Sequence, residues 1–513
     1  MHAPIPDIQT LGALRATGYT TRSVKEEVRQ NLIQSIKAKK QPFQTVLGYE
    51  DTVVPDVERA LLSRHNILFL GLRGQAKTRM AREMTHLLDE WIPVIDGSDI
   101  NDDPMQPISA FGKRMLAEKG DDTPIRWVHR SERYSEKLAT PDVSVADLIG
   151  DIDPIKAANL RIALSDDQAL HYGIIPRSNR GIFVINELPD LQARIQVALF
   201  NILQEGDIQI RGFKLRMPLD ILFVFTANPE DYTNRGSIVT PLKDRIESQI
   251  ITHYPKTVDI SRAITAQEAA ILPEQDALVT VPDLLKVLVE ELAMQARKSE
   301  YVDQKSGVSA RLTISAYENL VSAAERRALR EGSSATMARI ADFSGVVSSV
   351  TGKIELVYEG EVEGPASVAQ RLLGLAIRAV FVDYFPDPAS FKKGGKQPKG
   401  RPEAKAKGSP YAPVIDWFGQ GNELMLPADA PDTVYREKLM GVGGLYAAVK
   451  GFYPQADEAQ TALLMEFMLH ALSEFSLIAR RNADTGSYAF GDLLSGMLNM
   501  NFDDLDDNGE EDY

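Results

Sequence analysis

The feature that most constrains this chain is one octapeptide, Gly71-Leu72-Arg73-Gly74-Gln75-Ala76-Lys77-Thr78. It closes the apolar run Asn66-Ile-Leu-Phe-Leu-Gly71, which reads as a buried strand. It opens a stretch in which Met80, Met84, Leu87 and Leu88 share one helical face. A loop so placed can aim several backbone N–H groups at a phosphate chain, and the helix start adds positive potential. Lys77 would neutralise the β- and γ-phosphates, and Thr78 would give its hydroxyl to Mg²⁺. The usual pattern, G-x-x-x-x-G-K-[ST], has glycine where this chain has Ala76. At negative φ the added methyl costs little, whereas at positive φ it strains the loop, and both remain open at this point. The plainer alternative is an ordinary turn ending in a solvated lysine. The strand–loop–helix context favours the nucleotide reading.

A second buried strand, Gly181-Ile-Phe-Val-Ile-Asn186, is followed by Glu187, and a third is Ile221-Leu-Phe-Val-Phe-Thr226. Phosphate-loop ATPases place Asp and then Glu at such a strand end. Asn186 stands at the first of these positions. Its amide oxygen can still accept a hydrogen bond from a metal-bound water, but it brings no charge, so Mg²⁺ should be held less tightly. Glu187 can still polarise an attacking water. Taken alone, the pair could equally be a polar strand end.

Along the chain, residues 1–43 read as a basic, helical lead-in. Residues 44–256 alternate short apolar runs with amphipathic stretches, the pattern of an α/β domain with a mainly parallel sheet. Residues 257–385 read as an all-helical lid, with helical spacing over 282–297 and 313–330. Residues 386–412 are rich in Lys, Gly and Pro and read as a flexible basic linker in preference to a contact for an acidic partner. Residues 413–500 look helical again, and 501–513 form an acidic tail. No internal repeat is evident.

The 513 residues exceed one ordinary domain, and an apolar share of 44% suits globular cores. No run of eighteen or more apolar residues argues for a membrane span, and the N-terminus lacks a secretion-signal pattern. The absence of cysteine removes disulfides and thiolate chemistry and fits a cytoplasmic protein. A net charge of −15 argues against a broad nucleic-acid-binding surface. The 7 histidines form no H-x-x-x-H or H-x-H pair, so a metal-hydrolase site is not expected. No G-x-S-x-G elbow and no G-A-F-T-G-A loop occurs.

With these residues in place, a family emerges. Asp147-Leu-Ile-Gly-Asp-Ile-Asp, then Tyr172-Gly-Ile-Ile-Pro-Arg-Ser-Asn-Arg-Gly-Ile-Phe-Val-Ile-Asn-Glu187, resembles AAA+ ATPases of the magnesium chelatase subunit I and MoxR type. The stretch 203–218 looks like that family's hairpin before sensor 1, with Ile208 and Ile210 alternating before Gly212 and Leu215 and Met217 after it. Phe225-Thr-Ala-Asn228 looks like sensor 1, Leu242-Lys-Asp-Arg245 like the arginine-finger element and Gly307-Val-Ser-Ala-Arg311 like sensor 2. The resemblance runs over residues 44–330 and carries five motifs in the family's order.

It implies an AAA+ core with a parallel sheet flanked by helices, an α-helical lid and further C-terminal helices. It also implies ATP and Mg²⁺ as cofactors and a homo-oligomeric ring of six. Lys77, Thr78, Asn186, Glu187 and Asn228 would serve one nucleotide, and Arg245 would come from the neighbouring subunit to stabilise the transferring phosphoryl group. Arg311 would couple nucleotide state to lid position. Without the family order, Arg245 would read as a surface ion pair with Asp244 and Arg311 as a helix-start charge. A partner with a von Willebrand A domain is a further implication.

Three functions compete. One is a motor that remodels a client, with slow hydrolysis because of Ala76 and Asn186. Another is a nucleotide-gated scaffold that hardly hydrolyses. The third, porphyrin metallation, is disfavoured by the altered motifs and the extra C-terminal helices.

Overall fold

A computed structural model describes residues 4–163, 169–209, 216–229, 237–391, 409–483 and 487–493. Most of the basic linker, the acidic tail and the hairpin positions Ile210, Gly212 and Leu215 lie outside the described residues. The chain divides into two compact units, Met1–Tyr254 and Pro255–Tyr513.

The first unit is built on five parallel strands: β1 (Ile67–Leu70), β2 (Tyr134–Leu138), β3 (Gly181–Asn186), β4 (Ile221–Ala227) and β5 (Ser248–Ile251). Their order across the sheet is β5-β1-β4-β3-β2. The central strands read as unbroken apolar runs because both faces are covered. Leu68, Phe183, Ile185, Phe223 and Phe225 point to one core. Ile67, Phe69, Ile182, Val184, Leu222 and Val224 alternate with them and point to the other. Three helices, α1 (Val24–Lys37), α2 (Val53–Leu62) and α3 (Lys77–Glu83), contribute to this second face, with Val28, Val57 and Met80 in its core. The lead-in helix α1 is therefore part of the wall against the sheet. Ser23 caps it by accepting from the Glu26 N–H.

A buried ion pair joins α1 to the start of β2. Arg133 donates two parallel bonds of 2.7 Å each to the Glu27 carboxylate. Short antiparallel pairs, 150–152 with 170–172 and 207–209 with 216–218, lie outside the main sheet.

The second unit has one core that runs through α4 (Asp283–Ala296), α5 (Arg311–Glu331), α6 (Pro365–Tyr384) and α7 (Glu458–Glu474). All twelve residues from Thr461 to Leu472 on α7 are buried. Helix α6 is long and apolar enough to cross a membrane, yet Val368, Leu372, Ile377 and Phe381 are packed into this core. Arg327 and Arg339 both reach Asp432, and Arg327 also pairs with Asp342 at 3.0 Å. This polar seam ties α5 to the region beyond residue 409.

The structure departs from the sequence reading at 413–500. That stretch also holds a three-stranded antiparallel sheet, Leu424–Leu426, Ser487–Gly491 and Ala479–Ala483 in that order. Its strands are short, and two of them carry polar residues among few apolar ones. They therefore give no run of the kind that marks β1, β3 and β4.

Candidate nucleotide site

The loop 71–76 leaves the C-terminal end of β1 beside the end of β4, where the Gly71 N–H donates to the Ala227 carbonyl at 3.1 Å. Gly71 has no room for a side chain, since a Cβ would sit 1.9 Å from the Thr252 hydroxyl oxygen. Thr252 instead donates to the Gln75 side-chain oxygen at 2.7 Å. The Tyr49 hydroxyl donates to the carbonyls of Gln75 and His253, each at 2.8 Å. Burial pushes the Tyr49 hydroxyl up to about 12, which keeps it a donor across the ordinary pH range. The Tyr254 hydroxyl holds the Arg73 carbonyl at 3.0 Å.

Ala76 has φ of 53° and ψ of 21°, left-handed backbone at the residue preceding α3. An L-residue there costs about 1–2 kcal/mol that glycine avoids. Glu187 is also left-handed, at φ of 56° and ψ of 52°. Two non-glycine residues in this region, both at one end of the sheet, are sites of stored strain.

Five of the residues singled out from sequence form one hydrogen-bonded cluster at the C-terminal ends of β1, β3 and β4. The Lys77 ammonium donates to the Leu72 carbonyl at 3.0 Å, to the Gly71 carbonyl and to Asn228 Oδ1 at 2.7 Å. The other end of the Asn228 amide donates to Glu187 Oε2 at 3.1 Å. The Thr78 hydroxyl donates to Asn186 Oδ1 at 3.1 Å. Thr226 accepts from the Glu187 N–H at 3.1 Å and donates to the same Asn186 oxygen at 3.3 Å. Such a cluster can present a cation, a hydroxyl and a carboxylate to a triphosphate and its attacking water.

The donor set suits Mg²⁺ poorly. Thr78 and Asn186 offer neutral oxygens, and Glu187 is the one carboxylate of the five, already engaged by Asn228. Mg²⁺ sites of this kind depend on one or two carboxylates beside the phosphates.

The remaining two candidates lie elsewhere. Arg245 donates to Gln204 Oε1 at 3.0 Å and to the Pro241 carbonyl at 2.7 Å, with its guanidinium 4.9 Å from the Phe200 ring centre. Those contacts, rather than Asp244, hold it in this chain. Arg311 belongs to the second unit, where it is the exposed first residue of α5.

Sequence reasoning missed Tyr49, Thr226, Thr252 and Tyr254. Only Thr226 left a trace, as a buried hydroxyl at the end of an otherwise apolar strand.

No family model matches the chain. The magnesium-chelatase 38 kDa subunit of Cereibacter sphaeroides is 24% identical over 242 residues, covering 46% of this chain and 66% of that protein. The same subunit from Rhodobacter capsulatus is 24% identical over 222 residues, covering 42% and 57%. The chain thus spans somewhat less than two thirds of either relative. By these two relatives the chain is similar to the magnesium-chelatase 38 kDa subunit. Among solved structures, a model of the magnesium chelatase BchI–BchD complex aligns at 18% identity with a TM-score of 0.33. That alignment covers 63% of this chain and 98% of the other, and an overlap this loose adds no weight. The likeness rests on the two sequence relatives.

Proposed function

We propose that this chain is an AAA+ ATP-binding motor that works as a homo-oligomeric ring, a hexamer by the family resemblance, and remodels a client protein. The observation that carries this reading is the five-residue cluster, because Lys77, Thr78, Glu187 and Asn228 have no common structural task except around a shared ligand. Lys77 and the backbone of 71–76 bind the triphosphate, Glu187 orients the attacking water, and Asn228 holds Glu187 and Lys77 in register. Arg245 reaches a neighbour's nucleotide, and Arg311 reports nucleotide state to the second unit. Any Mg²⁺ needed for turnover enters on the nucleotide's own phosphates. Hydrolysis is slow, because Ala76 strains the loop and Asn186 supplies no charge. Partners with a von Willebrand A domain are the first to test as clients or co-subunits.

The second reading is a nucleotide-gated scaffold that assembles on ATP and hardly turns it over. Ala76 at φ of 53° and the amide at 186 favour it.

Steady-state ATPase activity over a protein concentration series, beside Glu187→Gln, separates the two. Activity per subunit that rises with concentration and vanishes in the variant supports the motor. Tight ATP binding without turnover supports the scaffold.

A further inference from the structure

The orientation of the Asn186 amide carries a consequence for the metal. Its Oδ1 is fixed by two hydroxyl donors, Thr78 and Thr226. Thr226 also accepts from the Glu187 N–H. In this pose the second edge of the amide is an NH₂ group. Among the described residues this Nδ2 has no hydrogen-bond partner, although Asn186 is half-buried.

A carboxylate in the same pose would keep both hydroxyl bonds and offer a charged acceptor on the second edge. Water on Mg²⁺ turns its hydrogens outward and seeks acceptors, so an NH₂ edge opposes it. A bare phosphate oxygen is an acceptor and welcomes the same edge.

Resting on the nucleotide reading above, we infer that Asn186 lets this site bind a triphosphate without help from a divalent cation. Its Nδ2 donates directly to a phosphate oxygen in the place where a carboxylate would organise a hydrated cation. Thr78 remains bonded to Asn186, and Lys77 supplies the charge. ATP then binds with closely similar affinity in the presence and absence of a divalent cation. An aspartate at 186 reverses this, since it sets a negative charge beside the phosphates unless a cation intervenes.

The test is equilibrium ATP binding by the full chain, in Mg²⁺ and in EDTA, for the wild type, Asn186→Asp and Lys77→Ala. The wild-type dissociation constant is expected to stay within about threefold between the two conditions, while Asn186→Asp weakens about tenfold or more in EDTA alone, the scale of one like charge near a phosphate. A wild type that loses about tenfold on chelation overturns the inference, because the cation then does the holding. So does an Asn186→Asp variant that matches the wild type in both conditions. Lys77→Ala reports on the underlying reading. If it binds ATP as well as the wild type, the nucleotide site itself is misplaced and this inference falls with it.

Discussion

One side chain joins Lys77 to Glu187: Asn228 accepts from the lysine at 2.7 Å and donates to the carboxylate at 3.1 Å. The group that would hold the phosphates and the group that would direct the water are thereby set at a fixed separation by a single amide. Replacing it with Ala should lower turnover about a hundredfold, the usual loss on removing one preorganised polar group from a reacting centre. ATP affinity should change little. Parallel kcat and nucleotide-binding measurements on Asn228→Ala check this, and an equal loss in both would place Asn228 in binding alone.

Arg245 rests on Gln204 and Phe200 within its own chain and is proposed to act on a neighbour's nucleotide. Arg245→Ala should therefore leave ATP binding intact and reduce turnover about a thousandfold, as for other arginines supplied in trans. Mixing it with Glu187→Gln, which keeps its arginine, should restore part of the activity if the two residues act across a subunit boundary. No restoration at any ratio would confine Arg245 to its own chain.

Ala76→Gly should stabilise the first unit by about 1 kcal/mol, because the left-handed position no longer carries a Cβ. Chemical unfolding followed by a probe in that unit measures it. Unchanged or lower stability would mean that the methyl group packs well enough to offset the strain.

The Glu27–Arg133 pair is buried at both ends and bidentate. Removing one partner strands the other, so Arg133→Met should cost about 3–5 kcal/mol. The double variant with Glu27→Leu should recover most of that loss, because no charge is left unpaired. Unfolding free energies of the single and double variants, compared as a cycle, decide it.

In the second unit, burial raises the Glu466 carboxyl to about 7 from an ordinary 4.5, although the Tyr435 hydroxyl and the backbone N–H groups of Ile340 and Ala341 all donate to it. The folded state then binds a proton more tightly than the unfolded chain between those values. Its contribution to stability is complete below about pH 4.5 and is lost as pH rises through about 7. Glu466→Gln should flatten the stability profile across that window. An identical slope in the variant would assign the titration elsewhere.

How far the sequence could be read follows from where each strand sits. β1, β3 and β4 are central and buried on both faces, so their apolar runs announce them. β2, with Ser135, Glu136 and Lys137, and β5 lie at the two edges of the sheet, where one side is unpaired and polar residues are tolerated. Neither gives a run, and neither was legible. The cluster was legible as a list because its members sit in short motifs at strand ends. The contacts that lock the phosphate loop were not. Tyr49 and Thr252 meet Gln75 from positions 26 and 177 residues away, and no local pattern encodes such a meeting. Nor could the sign of φ at Ala76 be read, since it depends on where α3 begins relative to β1.

The core of the second unit closes around α7, which comes from beyond residue 409 and buries apolar side chains on every face of its middle turns. Anyone trimming this protein to a shorter, family-sized piece by stopping at the Lys- and Gly-rich stretch would remove the inside of a domain and leave its shell. Leu372, Ile377 and Phe381 would face water, and Arg327 and Arg339 would lose Asp432. Such a fragment should be recovered as aggregate. The tail half supplied as a separate polypeptide should rescue it, much as a missing keystone lets an arch stand again.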